Sequence, residues 1–244
     1  MKNKKKIALV TGANRGIGQE IAKKLSKNNI IVIGTAKNLI EKNKINSMLG
    51  KNGFGIILDV TNKLEISQSV QKIHNNFGII DILINNAAIK YDKLLIQMSD
   101  HDWNKTLKTN LTSIFHISKA VIKKMIQQKY GRIITIGSVI GELGNIGQIN
   151  YSTSKSGIIG FNKTLALEVA DKGITANVIS PGLINTDMIN DISLEKKKKY
   201  LLNIPMKKFG SKKHIASMVL YLISKSAAYI TGQTIHINGG MYMN

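Results

Sequence analysis

The chain has 244 residues, 43% of them apolar, enough for one sizeable α/β core. It contains no cysteine, which excludes disulfides, thiol nucleophiles and cysteine metal sites, and its five histidines (His74, His101, His116, His214, His236) show no ligand spacing, so no metal is expected. The formal net charge is +21, but Arg occurs only at 15 and 132 and no aromatic stripe interleaves the lysines, so the charge reads as biased composition, with no nucleic acid and no membrane expected as partner.

Short Val- and Ile-rich runs at Ile7–Val10, Ile30–Gly34, Gly55–Asp59, Asp81–Ile84, Arg132–Ile136, Thr175–Ile179 and Thr234–Ile237 read as buried parallel strands. Helix-length amphipathic stretches fill the gaps at 16–27, 38–49, 62–76, 99–128, 150–171 and 211–223. Strict alternation predicts one domain over residues 1–244, a doubly wound, Rossmann-type parallel sheet of about seven strands with helices on both faces. Right-handed crossovers then put every strand's carboxyl end on one rim, where ligands bind. The two prolines, Pro181 and Pro205, bracket the one long irregular segment, and 183–210 is expected to be a mobile lid beginning near Thr186 and Asp187. No apolar run spans a bilayer, and a strand starting by Ile7 leaves no room for a leader, so a cytoplasmic setting is expected.

The first strand runs into T-G-A-N-R-G-I-G. Gly12, Gly16 and Gly18 let the chain turn tightly and let backbone approach a pyrophosphate at a helix N-terminus. After the second strand, residues 34–38 carry no acid, and Lys37 stands where an NAD site would place one. Arg15 and Lys37 suit a ribose 2′-phosphate and so NADP(H); the alternatives are a solvated loop arginine and one lysine among many. Asp59 can accept from an adenine amino group or cap the helix near Asn62. Asn85 and Asn86 can bind ribose or tie strands together. Asn110, in mid-helix, is either a structural amide or the anchor of a water chain leading from Lys155.

Tyr151 and Lys155 lie one helical turn apart in Y-S-T-S-K, thirteen residues after Ser138 in I-T-I-G-S. A phenol, an ammonium and a hydroxyl at one point can protonate a carbonyl oxygen. At about 4 Å and an effective dielectric of about 20, the cation favours the phenolate by about 4 kcal/mol, which lowers the phenol by at most roughly three pH units. A tyrosine tuned that way is a general acid for reduction, and Ser138 holds the substrate oxygen. Taken alone, Y-x3-K also arises by chance on helices.

The set T-G-x3-G-I-G, D-V, N-N-A, Asn110, Ser138, Y-x3-K and P-G-x-I-x-T-D resembles the short-chain dehydrogenase/reductase family over essentially the whole chain. G-R-I-I-T-I-G-S-V, G-N-I-G-Q-I-N-Y, A-N-V-I-S-P-G and Y-I-T-G-Q-T-I-H-I-N-G-G-M-Y are similar to the members that serve fatty acid synthesis. The resemblance implies a catalytic set of Asn110, Ser138, Tyr151 and Lys155. It implies cofactor contacts at Gly12, Ala13, Asn14, Arg15, Asp59, Val60, Asn86, Lys155 and Ile184, with NADP(H) reducing a 3-oxoacyl thioester. It further implies a homotetramer built through the long helices, and docking of an acidic acyl carrier protein at Lys129 and Lys172 beside the site. Ala88, Lys37 and Gln233 depart from the family pattern; the last puts any cation site near the C-terminus in doubt. Other readings are another dehydrogenase of the same family (acetoacetyl-coenzyme A, sugar or steroid), a noncatalytic nucleotide sensor on this fold, and a charge-driven nucleic-acid or membrane binder.

Overall fold

The structure, a computed structural model, describes residues 5–186 and 193–243. Seven parallel strands form one sheet: β1 (Ile7–Val10), β2 (Ile31–Ala36), β3 (Gly53–Ile57), β4 (Ile82–Asn85), β5 (Gly131–Ile136), β6 (Ile174–Pro181) and β9 (Thr234–Ile237). The order is β3-β2-β1-β4-β5-β6-β9, the doubly wound order expected from strict alternation. The chain reverses its direction of travel between β1 and β4, so the loops leaving those two strands open a crevice on the carboxyl rim.

Side chains alternate through the sheet because a strand has a period of two. Ala8 and Val10 pack with α1 (Gly16–Lys27), α2 (Leu39–Leu49) and α9 (Lys212–Leu222). Ile7 and Leu9 pack with α3 (Lys63–Asn76), α5 (Ser113–Gln127) and α7 (Ile149–Val169) on the other face. Both faces are covered, which is why the strands read as unbroken apolar runs. Asn38, Asn62 and Ser211 accept from first-turn amides of α2, α3 and α9, and His214 accepts from Ser211 N to complete a capping box.

Three elements differ from expectation. The stretch 99–128 is α4 (Asp100–Leu107) and α5 joined by a π-helical turn, Lys108–Thr112, which carries Asn110. A short helix, α6 (Ile140–Leu143), follows β5 unannounced, because four residues carry no periodicity. Within 183–210, β7 (Ile184–Asn185) pairs with β8 (Gly210–Ser211), and α8 (Leu194–Leu202) lies between them. Both ends of the segment are thus pinned in one ribbon, while Asp187 lies outside the described residues. No helix of the described residues is long and apolar enough to cross a membrane.

The crevice depends on close packing at Gly18. A Cβ there would sit 2.3 Å from the Gly12 carbonyl oxygen and 2.4 Å from Asn86 Nδ2. Gly18→Ala is therefore expected to cost about 2 kcal/mol, lowering the thermal midpoint by roughly 4–8 °C. Scanning calorimetry checks this; an unchanged midpoint would show that the loop yields freely.

Candidate active site

The nucleotide end is built by bonds between loops. Gly12 and Gly16 adopt φ +64° and +59°, in the left-handed region that favours glycine. Thr35 ties β2 to the loop: Gly12 N donates to its Oγ1 at 3.0 Å and Ala13 N to its carbonyl at 3.1 Å. Thr11 Oγ1 accepts from Asn86 N at 2.9 Å and Ala87 N at 3.0 Å. Asn86 Nδ2 donates back to the carbonyls of Thr11 and Gly12, at 2.9 and 3.1 Å. Asn86 is therefore a stitch between the β1 and β4 loops. Asn85 Nδ2 donates to Thr135 Oγ1 at 3.4 Å and ties β4 to β5, while its buried Oδ1 has no partner among the described residues.

Helix α1 opens without a cap. Arg15 stands at its N-cap position in extended backbone with no side-chain capping bond, and no acid lies in the first turn. The uncapped amides and the two left-handed glycines form a cradle that fits a dinucleotide pyrophosphate. Ala13 is buried, Asn14 and Gly16 partly so, and Arg15 and Lys37 are exposed. Lys37 is not alone, because Glu41 reaches back to accept from Lys37 N at 3.0 Å. Asp59 accepts from Thr61 N and Oγ1, both at 2.8 Å, and Asn62 caps α3 in its place. Burial raises the Asp59 carboxyl, but the Thr61 donors and the charges of Lys37 and Lys108 outweigh it and leave it lowered. Val60 and Ile184 are both buried.

The catalytic end joins the carboxyl end of β5 to the first turns of α7. Lys155 is 4% exposed; its Nζ donates to the Ile136 carbonyl at 2.8 Å and lies 5.5 Å from the centroid of the Tyr151 ring. Ser138 hydrogen-bonds the Tyr151 phenol. Asn110 is fully buried: its Oδ1 accepts from Ile89 N at 2.9 Å, and its Nδ2 donates to Ile89 O at 2.8 Å and Ser154 Oγ at 3.3 Å. Ser154 Oγ in turn donates to the Tyr151 carbonyl at 2.7 Å. Asn110 thus clamps the β4 loop to the tyrosine's helix.

The electrostatics differ from the sequence expectation. Burial is the largest effect on Tyr151 and raises the phenol; the Ser138 hydrogen bond opposes it and the Asp92 charge adds to it. Burial lowers Lys155 from 10.5 to about 8. Both shifts have one origin, since each charged form has lost solvent. At neutral pH the pair is therefore a neutral phenol beside an amine still mostly protonated, and Tyr151 is not a preformed phenolate.

Thr11, Thr35, Asp92 and Gln148 were not singled out from sequence. The hydroxyls at two strand ends were the available signal for the first pair; the second pair has none short of tertiary structure. Gln233 lines a separate recess of about 330 Å³ with Glu142, Lys163, Thr234 and His236, and a lysine in that wall disfavours a cation.

A family model described as short chain dehydrogenase matches residues 6–197. The chain is 57% identical over 244 residues to the 3-oxoacyl-[acyl-carrier-protein] reductase of Buchnera aphidicola subsp. Baizongia pistaciae, covering all of both chains. It is 50% identical over 238 residues to the protein of that description from Escherichia coli, covering 98% of each. The Haemophilus influenzae counterpart is 49% identical over 239 residues, 98% of this chain and 99% of that one.

Lys155 carries a pH linkage. Because its folded value is depressed, the folded chain has released a proton that the unfolded chain still holds between about pH 8 and 10.5. Stability therefore rises with pH across that window. Denaturant unfolding should show wild type gaining on the order of 3 kcal/mol on Lys155→Met as pH rises through it. Parallel curves for the two proteins would contradict the burial of a titrating amine.

Proposed function

The chain belongs to the short-chain dehydrogenase family, and from that premise we propose that it reduces a 3-oxoacyl thioester on an acyl carrier protein to the 3-hydroxyacyl thioester, using NADPH. The observation that carries this reading is the junction of Ser138, Tyr151 and buried Lys155 beside an uncapped helix N-terminus. NADPH bound at the α1 cradle would supply the hydride. Gly12, Ala13, Asn14, Gly16 and Gly18 hold its pyrophosphate, Arg15 and Lys37 its 2′-phosphate, and Asp59, Val60, Asn86 and Ile184 wall the rest. Ser138 holds the substrate oxygen, Tyr151 gives it the proton, and Lys155 offsets the negative charge left on the phenol. Asn110 keeps the β4 loop and α7 in register for that transfer, and 183–210 closes over the acyl chain from its two-stranded base.

An acyl chain fits the surroundings better than a sugar. Leu94, Leu95 and Ile96 on the β4 loop, and Leu143, Ile146 and Ile149 before and at the start of α7, are all exposed. The two segments are joined where Lys93 N donates to Gly147 O at 2.8 Å. A polyol substrate would call for polar side chains there.

The carrier-docking lysines need a correction of place. They do not lie beside the same chain's site. Helix α7 has 21 residues, about 30 Å at 1.5 Å per residue, with Tyr151 in its first turn and Lys172 beyond its last. Lys129 lies at that far edge too, since a Cβ on Gly173 would meet the Lys129 carbonyl oxygen at 2.5 Å. A homotetramer supplies the missing proximity. Phe115 and Ile126 on α5 and Leu167 on α7 are exposed apolar groups on the long helices. A second copy packed antiparallel along those helices brings its Lys129 and Lys172 to this chain's Tyr151.

Two outcomes test the proposal. Tyr151→Phe should bind NADPH with near wild-type affinity while turnover on a 3-oxoacyl thioester falls at least about 100-fold; retained turnover sinks the assigned role. Co-expressed subunits, one Tyr151→Phe and the other Lys129→Glu/Lys172→Glu, should recover turnover on the carrier-bound substrate that neither variant shows alone. Hybrids no better than the sum of the parents would place docking and chemistry on one chain.

A further inference from the structure

Outside the family's reactive groups, one polar chain runs from exposed Asp92 through buried Gln148 to the turn that carries Tyr151. Gln148 is 7% exposed and precedes α7. Its Nε2 donates to Asp92 Oδ1 at 2.9 Å, its Oε1 accepts from Asn145 Nδ2 at 2.9 Å, and its carbonyl accepts from Ser152 N at 2.7 Å. The neighbouring residue of the loop repeats the attachment: Asn150 Nδ2 donates to Tyr91 O at 3.2 Å while its Oδ1 accepts from Tyr151 N at 2.7 Å. The loop 91–93 is thereby fastened to the turn that carries the proton donor.

We propose that Asp92 is a positioning residue for the reduction: it holds Gln148, and Gln148 holds the first turn of α7. The inference rests on the reductase reading for its kinetic half only. Charged groups around the phenol come from every element packed on it. Lys155 lies on its own helix. Asp92 comes from the β4 loop, its Oδ2 paired with Lys90 Nζ at 3.1 Å. Glu142 on α6 is turned to Ser180, and Asp102 on α4 is engaged by Lys93. Of these, Asp92 is the one whose negative charge opposes ionisation of Tyr151. The consequence is a donor that stays protonated further into alkaline solution.

The substitutions separate anchor from charge. Asp92→Asn keeps an oxygen for Gln148 and removes the charge. Asp92→Ala removes both. Titrating phenolate absorbance, with Tyr151→Phe in each background subtracted, isolates the Tyr151 midpoint without any substrate. Asp92→Asn should lower that midpoint, and less so at high salt. The alkaline limb of kcat/KM on a 3-oxoacyl thioester should fall by the same amount. Asp92→Ala should in addition lower kcat by about 10-fold with NADPH affinity unchanged, a split that loss of general structure would not give. Coincident midpoints in wild type and Asp92→Asn overturn the charge, and an undiminished kcat in Asp92→Ala overturns the anchor. A wild type that titrates as stated yet turns over no 3-oxoacyl thioester would overturn the reductase reading instead.

Discussion

An amine kept out of water beneath a phenol is the constraint on which the site turns. Lys155 has its partner in the Ile136 carbonyl and almost no solvent, so its ammonium is held by the carboxyl end of β5. Placing it there requires α7 to start where β5 stops, and that junction also brings in Ser138. The sheet order and the helix packing deliver the same junction to the edge of the nucleotide cradle. Burial makes the charged forms of both groups costly, so proton transfer, rather than a standing ion pair, is the event the site favours.

The supporting structure is a set of clamps around that junction. Asn110 locks the β4 loop to α7 by gripping both main-chain atoms of Ile89. A regular α-helix continued from α4 would rotate residue 110 away from where the π turn sets it, and π turns recur where a side chain must be re-aimed at a functional site. Thr11 and Asn86 fix the β4 loop to the glycine loop in the same manner. One loop is therefore gripped from the nucleotide side by Thr11 and from the catalytic side by Asn110 and Gln148. In the proposed reaction that common frame would hold hydride donor and proton donor with little freedom between them.

Much of this was legible in the residues. The short Val- and Ile-rich runs placed all seven strands to within a few residues, because a sheet covered on both faces has to be apolar throughout. The glycine spacing marked the first turn, and the Tyr–Lys interval marked one helical face. The π turn was not legible, since the apolar stripe of 99–128 runs on through it. Nor was the direction of the Tyr151 shift: spacing brings a cation near, but desolvation depends on what covers the pair. The distance of Lys129 and Lys172 from Tyr151 was missed for a simpler reason. Matching motifs put them near a site without asking which end of α7 they occupy. Asp92 and Gln148 lie 56 residues apart and meet only through the fold.

The most direct measurement is the titration of Lys155 itself. Lysine labelled with carbon-13 at the ε position gives one resonance that is absent in Lys155→Met, and its shift against pH reports the amine. A midpoint near 8, well under the ordinary 10.5, is the result this account predicts. A midpoint at the ordinary value would mean that the amine is solvated, and the phenol would then lack the enclosed cation on which the chemistry depends.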